Sequence, residues 1–548
     1  MPPSLHLYQS SRSSQVLLNL LQTNAMTTTS PTPKLPGPAG QLQSPLCRLP
    51  RELRDEIYDY YAYDEEGLTY DYPSKTLKYA SGAELNLPLT CKMVANEMKG
   101  THLRVNTITF IPCCLERDED AFRGLRSLSA RFEYLLHCAK LTKLIMLHHA
   151  AECVTDDMID QVIEACPGMS GVFRAVIHSL RGNPRMWDMD RAINLPRDEF
   201  TASFCEAVQL CLDLISSDPR FEDLVSQAFE PSDRHPDHYP HFMKDSHQQI
   251  LDWQPDPWLI PTVEQLSRIE QLLIPQSQGQ EDWAWQHSHI KLYSSGTAIC
   301  AATLRRLPSN VRKHVRSIFL RESCGAVSNP DAHAEGLIPF CKENLRLRIL
   351  YMAGFATNLA PSFWEDFRPA EYTYVNALAA KYFYCRILVD WLTRTADLHR
   401  RGMPNESFTA TLDVRSQEAF RLWRYVERAA AVALHLVERL GPRHELTSES
   451  IDSHGNPYHV LMETLARTWR LPVHLSTVFN DVMNGRSMIR LDLPADELLE
   501  PFTPTQPFCQ WTFNDFVLFY HVFKGQDFPG DKKLYLRTFL GDSSDRKS

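Results

Sequence analysis

The clearest amphipathic pattern opens at Leu49-Pro50, after which Leu53, Ile57 and Tyr61 recur at four-residue spacing. Positions four apart share one stripe of an α-helix. Pro suits a first helical turn, because its φ is fixed and its missing N–H would have no partner there. Arg51, Glu52, Asp55, Glu56 and Asp59 fall mostly on the other side, towards water. Periodicity leaves two readings of the apolar stripe open: an exposed partner-binding face, or an ordinary core helix. Alternation takes over next. Leu68–Tyr72 and Thr76–Tyr79 flank Pro73-Ser74 and predict a hairpin, and the β-branched run over 105–110 predicts a strand. Leu141, Leu144, Ile145 and Leu147 precede Thr155-Asp156-Asp157, a helix start with acids in its first turn, and that helix should end near Cys166.

Further along, Val315–Leu320 and Leu345–Leu350 alternate apolar with basic residues around a helical stretch at His333–Cys341. The pattern predicts a strand–helix–strand unit with leucine-rich-repeat-like packing, although two units are too few for a solenoid. Helices are predicted over 374–401, stopping at Gly402, and over Ser416–Leu440, stopping at Gly441-Pro442. Another starts at Thr512, whose spacing to Asp515 fits a capping box. The fold class is therefore α+β: N-terminal helices with a hairpin, a mixed α/β middle and a mainly helical C-terminal region.

Composition divides the chain further. Residues 1–45 read as a disordered Ser/Thr/Pro-rich leader with an alternative start at Met26, and 541–548 as a disordered tail. Between a first module (46–112) and a strand–helix–strand region (290–370) lie a mixed α/β region (113–229) and a Pro/His/Trp-rich linker or long loop (230–289). Trp253, Trp258, Trp283 and Trp285 argue that part of that loop packs onto a core. The helical region covers 371–540.

With 23% charged and 43% hydrophobic residues the composition is ordinary for a globular protein, and a formal charge of −10 disfavours nucleic-acid and anionic-membrane partners. The scattered 14 Cys, with no Cys-x-x-Cys, read as reduced thiols, and no transmembrane run is evident. Cytoplasm or nucleus is the expected location.

The segment Leu49-Pro50-Arg51-Glu52-Leu53-Arg54-Asp55-Glu56-Ile57-Tyr58 resembles the opening of fungal F-box-like proteins. The helix Thr90–Met98 and the strand Val105-Asn106-Thr107-Ile108-Thr109-Phe110 extend the likeness over roughly residues 46–112. The resemblance implies a three-helix interaction module that docks a small adaptor of a cullin-type ubiquitin ligase, with Leu49, Pro50, Leu53, Ile57 and Tyr58 as the partner-binding residues. It also implies a non-enzymatic protein without a cofactor. The insertion from about Ala62 to Pro88 and the missing Trp of the later helix depart from the usual pattern.

Two other function classes compete. One is an orphan structural protein whose Leu-Pro helix is buried. The other is a metal-dependent enzyme using His235, His238 and His241, whose imidazoles could ligate zinc although Pro236 and Pro240 interrupt any regular helix. His333-Ala334-Glu335 is similar to half of a zinc deaminase signature, but the Pro-Cys-x-x-Cys half is absent. His444-Glu445 lacks the second His of a metalloprotease helix, and no phosphate loop or nucleophile elbow occurs. Arg305, Arg306, Arg312, Lys313, His314, Arg316 and Arg321 could hold phosphate, or simply form the wet side of an amphipathic segment.

Overall fold

Three short runs of β-prone residues near the N-terminus found the sheet on which everything else is laid. In a computed structural model, which describes residues 44–114, 128–169, 173–182, 201–229, 242–274, 293–354, 388–416 and 475–494 with 419, 420, 423, 424 and 427, helix α1 spans Arg51–Ala62. The predicted hairpin follows as β1 (Leu68–Asp71) and β2 (Thr76–Tyr79), paired antiparallel. After α2 (Lys92–Glu97) and α3 (Thr101–Val105), strand β3 (Thr107–Phe110) returns parallel to β1. Gly67 makes that return possible. Its φ is +74° and a Cβ there would lie 2.5 Å from the Thr107 carbonyl oxygen.

The sheet then grows by one parallel strand at a time. A two-stranded ribbon pairs β4 (Cys113–Cys114) with β5 (Tyr293–Ser294), and α11 (Gly296–Arg306) is still to come on the chain's way back to the sheet. Strands β6 (Ser317–Glu322), β7 (Arg348–Gly354), β8 (Phe408–Asp413) and β9 (Ile489–Asp492) complete a seven-stranded order β2-β1-β3-β6-β7-β8-β9, parallel from β1 onward. The two units visible in the sequence thus belong to a longer sequential array. The fold is mixed α+β around a mainly parallel sheet.

Register rows explain the core. Leu68, Ile108, Ile318, Ile349 and Phe408 lie side by side on one face, and Phe110, Leu320, Tyr351, Ala410 and Ile489 form the next row. All are buried, whereas the alternate residues Arg321, Arg348, Leu350 and Arg490 are exposed. One face of the sheet is therefore covered by α11, by the 3₁₀ turn Pro330–Leu337 and by α12 (Ile338–Glu343).

Between β4 and β5 the described chain is helical. Helix α4 (Leu128–His149) is buried nearly all round, which is why no single apolar stripe marks it in the sequence. Helices α7 (Ala202–Ile215) and α8 (Phe221–Ser226) pack on it, and α5 (Asp156–Ala165) and α6 (Phe173–Gly182) complete the same apolar core. The predicted start of α5 is observed: the Thr155 hydroxyl accepts from Met158 N–H at 3.3 Å. Within the Pro-rich stretch, α9 (His247–Asp252) and α10 (Val263–Glu270) dock on α4, where Arg131 Nε and Nη2 donate to Glu270 at 2.7 and 2.6 Å.

Two elements differ from expectation. Strands β8 and β9 run through the region read as mainly helical. In Phe408-Thr409-Ala410-Thr411-Leu412-Asp413 the inward positions include a small Ala, so the alternation is faint without its neighbours. Described residues from 388 to 396 are helical and end near Gly402, as expected, while the remainder of 374–387, most of the Ser416–Leu440 helix and the helix at Thr512 lie outside the described residues. The last element described before β9 is α13 (Leu475–Met483).

Candidate docking face

Helix α1 packs with its aliphatic ridge outward. Leu53 is 46% and Ile57 39% exposed, Pro50 and Tyr61 are also exposed, and Leu49 is half-buried. The side turned inward carries Tyr58, Ala62 and the half-buried Arg54. Tyr58 is fully buried and packs with Ala62, Val94 and Met98. Tyr58, expected among the partner-binding residues, is thus sealed from any partner. One position past Ile57, it is rotated about 100° away from the Leu53–Ile57 ridge.

An ion cluster makes that inversion possible. Arg54 donates from Nε and Nη2 to the Glu97 carboxylate at 2.9 and 2.5 Å, and from Nη1 to the Leu49 carbonyl at 2.5 Å. Tyr58 Oη donates to Glu97 Oε2 at 2.8 Å, and Arg51 Nη1 approaches Oε1 at 2.9 Å. The bonds from Arg54, with help from Tyr58 and Arg51 and against burial, hold the Glu97 carboxyl down at about 2. Burial pushes the Tyr58 phenol up to about 12. With its polar side satisfied internally, α1 has no need of its aliphatic side for folding.

Asn106 fixes the module on the sheet. Its Nδ2 donates to the Ala62 and His102 carbonyls at 2.6 and 2.9 Å, and its Oδ1 accepts from Asp64 N–H at 2.7 Å. Asp59 and Arg104 pair across α1 and α3 at 2.5 Å. Tyr61 Oη accepts from the Asn86 and Leu87 N–H groups at 3.0 and 3.1 Å, which brings the turn with exposed Leu89 beside the C-terminal end of the ridge. Arg54, Glu97 and Asn106 lie within the three F-box-like segments 49–58, 90–98 and 105–110. Their roles needed a partner forty or more residues away to become visible.

The other candidate residues separate widely. His235, His238, His241 and His444 lie outside the described residues, and no group of three metal-capable side chains occurs among the described ones. His333 is buried against Ser295, whose Oγ accepts from Ala298 N–H at 2.9 Å; because the ring's Nε2 faces a carbonyl and must donate, Nδ1 of the neutral ring accepts from the Ser295 hydroxyl at 2.6 Å. His333 Nε2–H donates to the Ser328 carbonyl at 2.9 Å. Although this has the spacing of a nucleophile and base, both residues are 1% exposed and their bonds serve the N-terminus of α11. Glu335 pairs with Arg394 at 2.6 Å instead of facing a metal. In the basic segment, Arg312 is committed to Glu343 at 2.6 Å and to two backbone carbonyls.

The described cysteines are free thiols, and burial pushes those of Cys138, Cys166, Cys211 and Cys341 up to about 12. No described helix is long and apolar enough to cross a membrane. Comparison of the chain with known protein families, curated proteins and solved structures gives no match.

Proposed function

We propose that the protein is a non-enzymatic, F-box-like interaction protein that acts in the cytoplasm or nucleus and engages a small adaptor of a cullin-type ubiquitin ligase. The reading rests on one observation above the others: the Leu53–Ile57 ridge is exposed while the opposite side of α1 is fully occupied. Leu49 and Pro50 extend the ridge towards the N-terminus, and Glu52 and Glu56 border it. A complementary partner has an apolar groove with a basic rim, the geometry in which a helix face docks by anchors at i and i+4. The sheet and helical layers behind the module would then carry or scaffold a client.

Binding of purified adaptor, in complex with the N-terminal part of a cullin, to the full chain tests this by calorimetry. Wild type should bind, and Leu53→Asp and Ile57→Asp should each weaken binding at least ~10-fold, because a carboxylate cannot be desolvated in an apolar groove. Since both positions are exposed, the variants should melt like wild type. Equal binding by folded variants, or no binding by wild type, removes the proposal.

A further inference from the structure

Away from α1, helices α4 and α7 meet the Trp253–Trp258 segment and the turn carrying Ser328 and Asn329 around a cavity of about 300 Å³. Small-molecule sites begin at about this size. Helix α4 contributes Leu136, Ala139, Lys140 and Lys143, an i, i+3, i+4, i+7 set from a single helix face. Gly336 lets the Trp258 ring lie on the 3₁₀ turn, since a Cβ there would sit 2.5 Å from the ring.

Three cations and three anions line the cavity, but its carboxylates are already engaged away from the two lysines. Arg394, Glu206 and Glu335 belong to it, but they are engaged with one another and with Arg401, which also meets Asp397 at 3.5 Å. Arg394 reaches Glu335 at 2.6 Å and Glu206 at 3.0 Å, and Arg401 reaches the same two at 3.2 and 3.1 Å. Asp256 is exposed and faces Arg305 at 3.9 Å. Lys140 and Lys143 are left over. Lys140 Nζ donates to Asn329 Oδ1 and Lys143 Nζ to the Trp253 carbonyl, each at 2.9 Å, and neither meets a carboxylate among the described residues. Burial pushes the Lys143 ammonium down to about 8, as expected of a cation that water solvates poorly.

Gln209 supplies an independent sign. It lines the cavity, is 8% exposed and donates from Nε2 to Asp213 at 2.8 Å, yet its Oε1 has no partner among the described residues. Buried acceptors are normally satisfied, so an orphan beside a cavity marks a place for a donor.

Two ammonium groups that bond no carboxylate among the described residues and one acceptor that lacks a donor among them, next to Trp253, Trp258 and Leu136, define a complement. We propose that this cavity is a binding site for a small organic acid. Its carboxylate would lie between Lys140 and Lys143, its hydroxyl or N–H would donate to Gln209 Oε1, and its apolar ring would pack on the tryptophans. The site is separate from the docking ridge and does not depend on it.

Saturation-transfer NMR on the full chain tests the proposal with phenylacetate and 3-phenyllactate against their uncharged amides. The acids should bind, 3-phenyllactate more tightly, and the amides at least ~10-fold more weakly, since they offer the lysines no charge. Lys143→Met and Gln209→Glu should each weaken acid binding by a similar factor. Thermal melting verifies that the variants fold, and Gln209→Glu, nearly isosteric, decides the matter if Lys143→Met does not. Absence of acid binding at millimolar concentration, equal binding of acids and amides, or folded variants that bind like wild type would overturn it.

Discussion

Arg54 holds Glu97 from across the N-terminal module, with Nε and Nη2 both on the one carboxylate at 2.9 and 2.5 Å. A bidentate bond of this kind fixes direction as well as distance, so α1 can turn only one side towards α2. The Leu53–Ile57 ridge is exposed as a consequence of where Glu97 stands.

Glu97→Ala should accordingly be far more damaging than its position on a short helix suggests. It strips an acceptor from Arg54, Tyr58 and Arg51 together. A loss of about 2 kcal/mol is expected in urea unfolding, because the buried Tyr58 hydroxyl and the half-buried Arg54 guanidinium are left without their acceptor. Glu97→Gln, which keeps an acceptor, should lose less. If both variants unfold at the wild-type midpoint, the cluster does not organise the module.

Neighbours in sequence on α1 should behave oppositely. Tyr58→Ala opens a cavity under the helix and is expected to cost about 3–5 kcal/mol, while Leu53→Ala and Ile57→Ala stay within about 0.5 kcal/mol. Unfolding midpoints of the three variants check this. A large loss at Leu53 would mean that the ridge packs against the protein's own chain.

The hairpin, strands β3, β6 and β7, and the capped start of α5 were legible because each is a local pattern: alternation, a turn pair, a Thr-Asp-Asp cap. The orientation of α1 was not. Its stripe of Leu49, Leu53 and Ile57 is equally compatible with burial, and only the distant Glu97 decides between the two. Strand β8 escaped for a related reason, since Ala410 gains its inward place from Tyr351 and Ile489 on either side. The cavity was invisible as well. Lys140 and Gln209 are ordinary surface-type residues until folding places them beside Asn329 and Asp213.

Acid should destabilise the protein in two separable windows. Burial lowers His333 from 6.5 to about 4, so the fold keeps it neutral while the unfolded chain takes up a proton. Its contribution is complete above pH ~6.5 and is lost as pH falls from there towards 4. Glu97 is lowered from 4.5 to about 2, so its contribution is complete above ~4.5 and is lost as pH falls through the range below. His148 shifts in the same direction as His333, so His333→Gln should flatten part of the upper window and Glu97→Gln part of the lower. Unfolding free energy measured from pH 7.5 to 3 separates them. A profile unchanged in either variant contradicts the corresponding assignment.

The set formed by Arg394, Arg401, Glu206 and Glu335 joins α7 to the helical layer on the sheet, and it should be strongly coupled. Arg394 is 6% and Glu335 12% exposed at the side chain, so removing one charge leaves the others poorly solvated. Arg394→Met is expected to cost about 3–5 kcal/mol, the usual range for breaking a buried pair. Glu335→Gln alone still leaves Arg394 on Glu206 and should cost less. Combining the two removes one cation and one anion, which leaves the cluster's net charge unchanged and should recover more than about 1 kcal/mol of the summed losses. A double-mutant cycle in guanidinium measures this directly. Additive losses would show that the four residues act as separate surface pairs and that the helical layer is held to the sheet by apolar packing alone.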